Sequence, residues 1–181
     1  MVGKIDRQLG GKRAELYVIG ELLRLGVVPY VPTIDVEGID AVVRTSSGKL
    51  LAIQVKASGV SGGRFPRWFI FGDVLPRPDL FLIGISVIDE EIQEAWVFPS
   101  AVYRNYADIR PAGDWGINLD SGKRKYGMTL RDLLCGFRRR WELITKYEDY
   151  ESLLESPEDL EDILAMKESL ESPEEEAITL Q

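Results

Sequence analysis

Histidine is absent from the 181 residues of this chain, and cysteine occurs once, at Cys135. Without histidine there can be no His-based catalytic triad, no His-ligated zinc and no imidazole acid–base chemistry. A single cysteine rules out an internal disulfide and a thiolate zinc cluster. Cys135 sits in Leu-Leu-Cys-Gly-Phe and reads as a small buried hydrophobe rather than a nucleophile. Long apolar runs are missing too: none approaches the roughly 20 residues of a membrane span. The N-terminal Met-Val-Gly-Lys-Ile-Asp-Arg lacks the apolar core of a signal peptide. A cytoplasmic protein with no membrane partner is therefore expected. Any catalysis must run on carboxylates, amides, lysine, tyrosine or a bound metal.

What the chain does contain is unevenly distributed. The hydrophobic share, 45%, suits an ordinary globular core, and the net charge is -8. Residues 142–181 hold 14 acidic and 2 basic residues, net -12, which leaves 20 basic and 16 acidic residues in 1–141, net +4. The expected organisation is a body over 1–141 and an acidic, helical tail over 142–181. A mildly basic body is compatible with a polyanionic ligand.

Lys12 to Leu25 reads as a first helix, with Leu16, Ile19, Leu22 and Leu23 at helical spacing, Gly26 as its stop and Glu15 at the edge of that stripe. Short extended segments follow at Val27–Val31 and Trp68–Phe71, and prolines keep the first irregular or at an edge. Asp79–Val87 is almost continuously apolar, as expected of a strand buried on both faces. A further strand is expected at Ala95–Phe98, where Trp96 and Phe98 read as core, then a helix over Ser100–Tyr106. Residues 107–128 read as loop. Thr129–Arg140 reads as a helix capped by Thr129, with Arg138 to Arg140 at its C-terminus.

Residues 38–57 carry the chemistry. Alternation predicts a β-hairpin with Ile39, Ala41, Val43, Leu51, Ile53, Val55 and Ala57 on one face and Asp40, Gln54 and Lys56 on the other. With the turn at Thr45 to Lys49 and Gly48 taking a positive φ, Asp40 falls opposite Gln54, and Lys56 follows on the same side. An acid, an amide oxygen and an amine converging there would serve a metal-dependent phosphodiesterase. The plain alternative is a solvated Asp40–Lys56 ion pair on an amphipathic hairpin, worth at most about 1 kcal/mol.

Glu15 on a helix, Asp40 on one strand and Gln54-Val55-Lys56 on the next resemble the PD-(D/E)xK nuclease superfamily, in the variant where glutamine replaces the second acid. The segments Pro78-Asp79-Leu80-Phe81-Leu82 and Ala95-Trp96-Val97-Phe98-Pro99 are similar to strands of its restriction-endonuclease-like core. The nearest flavour is that of intron-associated homing endonucleases and Holliday-junction resolvase relatives, over roughly residues 8–140. Ile39 stands where the motif's proline would be. The resemblance implies an α/β fold, a mixed central sheet flanked by helices, and Mg²⁺- or Mn²⁺-dependent hydrolysis of DNA. It implies Glu15, Asp40, Gln54 and Lys56 as catalytic residues, and Asp40, Gln54, the Val55 carbonyl and Glu15 as metal ligands. Arg64, Arg67, Lys123, Arg124, Lys125 and Tyr126 are the candidate nucleic-acid contacts.

The tail carries a second resemblance: Glu-Asp-Tyr-Glu-Ser-Leu-Leu and the acidic run after it are similar to the C-terminal half of Phd/YefM-type antitoxins. Leu160, Ile163, Leu164, Met166 and Leu170 make an apolar stripe too narrow for a core of its own, so the tail is expected to dock on the body, a second subunit or a separate protein. The rival to an endonuclease is thus a noncatalytic protein of nuclease fold that binds a partner through this tail.

Overall fold

In the computed structural model, which describes residues 2–34, 38–60, 68–89, 91–120 and 129–147, the apolar segments assemble into one mixed sheet. Helix α1 (Val2–Arg24) leads into strands β1 (Pro29–Tyr30), β2 (Ala41–Arg44) and β3 (Leu50–Val60). After β4 (Trp68–Phe69) come β5 (Leu80–Ile88), β6 (Glu91–Pro99) and helix α2 (Ser100–Tyr106). The chain continues through β7 (Asp108–Ile109), β8 (Trp115–Asn118), α3 (Leu130–Leu133), a 3₁₀ turn at Cys135–Phe137 and α4 (Glu142–Thr145). The central sheet has the order β1-β2-β3-β5-β6, antiparallel except where β3 and β5 run parallel, with Ile53 beside Phe81 and Gln54 beside Leu82. The fold is α/β, as the sequence indicates.

Burial on both faces explains β5: Leu80 to Ser86 are all buried, so no alternation shows in its sequence. A three-stranded sheet, β4-β8-β7, covers part of one face. Phe69 from this small sheet lies over Gly84, where a Cβ would stand 2.8 Å from the ring, so only glycine lets the two layers meet. Trp96 and Phe98, both buried, stack with centroids 6.0 Å apart. The N-cap expected at Thr129 is present as a reciprocal capping box with Asp132.

Four expectations are corrected by packing. Helix α1 begins at Val2 and buries Ala14, Val18 and Leu22, whereas Leu16 and Leu23 face solvent. The small Ala14 and Val18, with Leu22 one turn on, let the helix approach the sheet closely, and that docking, not leucine content, selects the face. The helix expected over Thr129–Arg140 ends at Leu133, because Arg138 leaves it to bridge Trp96 on β6, while the Arg139 N–H donates to the Ala95 carbonyl. The loop expected over 107–128 contains β7 and β8. Cys135 is exposed, since the 3₁₀ turn spends its inward positions on Leu134 and Phe137. The core also continues past residue 141: Leu143, Ile144 and Tyr147 are buried, and the Tyr147 hydroxyl donates to the Pro78 carbonyl at 3.0 Å.

Candidate functional site

The hairpin turn forms as the spacing predicts. Thr45 N–H donates to the Lys49 carbonyl, Gly48 N–H donates to the Thr45 carbonyl, and Gly48 has φ +87. Ala41 then lies opposite Ile53, where the paired register begins, and Asp40 stands just before it. Ala41, Val43, Leu51, Ile53 and Val55 are buried, so a slip of one residue would drive this apolar set into water, and the register is firmly held. On the other face Gln54 and Lys56 are half-buried.

Asp40 precedes β2 and is pinned at two points. Its N–H donates to the Ile53 carbonyl at 2.8 Å, and its Oδ2 accepts the Val55 N–H at 2.6 Å. The carboxylate thus takes the place of a backbone acceptor at the point where the β2–β3 ladder ends. In an extended strand the N–H and C=O of one residue point to the same side. The Val55 carbonyl therefore looks toward the edge where Asp40 sits, while Ala52 turns to the other side, its N–H bonding Asp79. Gln54 is held over Gly38: a Cβ there would come within 2.6 Å of Gln54 Nε2, and Gly38 has φ +72. Glycine is thus required for conformation, while a Cβ there would shift only the flexible end of Gln54. Among the described residues Lys56 has no ion-pair partner.

Helix α1 packs on β3, and its Lys12 lies within the electrostatic reach of Asp40. Lys12 Nζ lies 2.6 Å from Glu15 Oε2. That hydrogen bond and the charge of Glu15 hold the Lys12 ammonium above its ordinary pKa, and Asp40 adds a smaller contribution. Glu15 and Asp40 therefore favour positive charge in a shared region. The sequence gives Lys12 and Gly38 no role at the site. The signal for Gly38 was its place two residues before Asp40, and that for Lys12 its i,i+3 spacing to Glu15.

Asp40 and Val55 thus meet where the β2–β3 ladder ends, with Gln54 and Lys56 on either side of Val55 in β3, while Glu15 stands on α1 beside Lys12. Arg64, Arg67, Lys123, Arg124, Lys125 and Tyr126 lie outside the described residues, as does the tail from residue 148. Among the described residues no group of three or more His, Cys, Asp or Glu side chains is arranged to hold a metal ion. Any ion would rest on two carboxylates, an amide and a carbonyl. No helix of the described residues is long and apolar enough to cross a membrane.

No family model matches the sequence, and no curated protein matches it. Solved structures do. The structure of the bacterial homing endonuclease I-Ssp6803I superposes with a TM-score of 0.55 at 22% identity, covering 80% of this chain and 97% of that one. At that identity the likeness shows a shared fold, a nuclease-like one, and leaves the chemistry to the residues.

Proposed function

We propose that this protein is a metal-dependent endonuclease that hydrolyses phosphodiester bonds of DNA, with Glu15, Asp40, Gln54 and Lys56 as its site. The observation that supports the reading is the Asp40 carboxylate held on the Val55 N–H where β2 ends beside β3, the strand that also bears Gln54 and Lys56, in a fold shared with a homing endonuclease. The donor set suits Mg²⁺ or Mn²⁺: hard cations take oxygen ligands, and Mg²⁺ commonly makes do with one or two carboxylates plus waters and substrate phosphates. Asp40, the Gln54 side-chain oxygen and the Val55 carbonyl would hold the ion, with Glu15 as the outer carboxylate. Lys12 now stands on Glu15, and would yield that carboxylate or share it. When bound, the ion supplies Lewis-acid polarisation of the phosphate and acidification of the attacking water.

The chain's own groups do the rest. Lys56, which forms no ion pair among the described residues, orients the water or offsets charge developing on the phosphate. Asp40, tied to the β3 backbone, keeps its position as the substrate arrives. Gly38 leaves the room that the Gln54 amide occupies. The net +4 of residues 1–141 draws in a polyanion, and the six basic and aromatic residues of the 61–67 and 121–128 segments are the proposed backbone and base contacts.

The test is cleavage of supercoiled and linear DNA by the full chain with Mg²⁺ or Mn²⁺. Nicking or linearisation is expected, reversed by EDTA and abolished in Asp40→Asn at unchanged circular dichroism. No hydrolysis across a DNA and RNA panel with either metal would overturn the reading in favour of the noncatalytic partner-binding protein. Cleavage of RNA alone would correct the substrate.

A further inference from the structure

Leu9, Leu16 and Leu23 are 58%, 57% and 53% exposed and recur at intervals of seven along α1. Seven residues fall about 20° short of two full turns, so the three leucines form one stripe along the helix. At 100° per residue that stripe lies on the side opposite Ala14, Val18 and Leu22, which face the sheet. Gly20 falls between Leu16 and Leu23 on this outer side, and the space around its missing Cβ is open to 4 Å. The outer face is thus one stripe of three leucines with an open gap at Gly20 between the last two. Three leucines in line on an exposed helix face mark a docking surface rather than scattered surface apolarity.

We propose that the occupant is the protein's own acidic tail: the segment Leu160–Leu170 lies along the outer face of α1. Three observations select it over other partners. The tail has the matching pattern, since Leu160, Ile163, Leu164 and Leu170 recur at helical spacing and need a surface. Charges match as well. Residues 148–181 carry 13 acidic and 1 basic residue, whereas α1 carries five basic (Lys4, Arg7, Lys12, Arg13, Arg24) and three acidic residues (Asp6, Glu15, Glu21). Finally, the tail can reach. The described chain ends at Tyr147, whose ring sits edge-on against Phe81 in the sheet that α1 covers. The 12 residues from 148 to 159 can span about 40 Å, more than the roughly 15 Å radius of gyration of a body this size.

Docking there sets tail carboxylates beside Lys12, at the border of the Asp40 site. The inference stands on the α1 face and the tail sequence, independently of whether the site is catalytic.

The experiment uses the full chain carrying Cys135→Ser, Leu16→Cys and Ile163→Cys, oxidised at micromolar concentration. Leu16 is exposed and outside the core, so the substitution leaves folding intact. The expected product is an intramolecular disulfide, seen as a monomer of altered mobility with a 16–163 cross-linked peptide. Disulfide-linked dimers would assign the stripe to a second copy of the chain and overturn the proposal, as would no cross-link. In parallel, Leu16→Glu in the otherwise unaltered chain is expected to speed proteolysis within residues 148–181 by about tenfold at constant monomer mass. An unchanged rate would overturn the proposal.

Discussion

Two polar clusters sit on the same sheet and behave differently. At one end of β6, the buried carboxylate of Glu94 is surrounded by cations and donors. It pairs with Arg131 and with Arg138 at 3.3 Å and accepts the Trp96 indole N–H at 3.2 Å. Arg131 also lies over the Trp96 ring, 5.6 Å from its centroid, and reaches Asp120 at 3.4 Å. Around Asp40, by contrast, the groups are half-exposed, and Lys56 has no ion-pair partner among the described residues. Both clusters combine an acid and bases on or beside neighbouring strands. In the first each charge is matched, and the cluster locks Arg138 and the turn before it onto β6. In the second the backbone fixes the acid while the amine stays available. Saturation separates a structural charge cluster from a chemical one, and burial decides which is affordable.

Substitutions at the two clusters should therefore fail in opposite ways. Lys56→Met is expected to lower the DNA-cleavage rate by about 10²- to 10³-fold, the usual cost of losing a preorganised charge-stabilising donor, with an unchanged melting temperature. A fall in stability with cleavage intact would place Lys56 in the structural class and erase the contrast. Glu94→Gln should do the reverse. It leaves two arginines around a neutral amide and is expected to cost about 2 kcal/mol in urea unfolding, below the 3–5 of a fully buried pair because Arg138 is half exposed. Cleavage per folded molecule should hold. The smallest effect is at Gly38→Ala, whose Cβ would displace the Gln54 amide: about tenfold in cleavage and about 1 kcal/mol in stability, since alanine resists φ +72. Wild-type cleavage in that variant would remove Gln54 from the site.

The hairpin was the most legible part of the chain. Its alternation and the Gly48 turn follow from a period of two and a tight turn, and the structure bears them out. Thr129 as a cap, α2 over Ser100–Tyr106, and Trp96 and Phe98 as core were equally readable. Less legible were features set by a distant partner. Leucine spacing on α1 pointed to one face, but the sheet accepted the face with Ala14 and Val18. Arg138 to Arg140 looked like the end of a helix, but β6 and Glu94 pull the chain out of it. Lys12 and Gly38 gain meaning only from groups remote in sequence.

Composition and local period by themselves determined what this protein cannot use, histidine and thiolate chemistry, and which residues share the polar face of the hairpin. Those properties depend on residue type and on the geometry of one strand. The tertiary structure alone decided that Ala14, Val18 and Leu22 are the face α1 buries, that Val55 N–H anchors Asp40, and that Glu94 is neutralised while Lys56 is not. These depend on which surfaces pack closely and which charges burial forces together, and packing and electrostatics act between residues that the sequence keeps far apart.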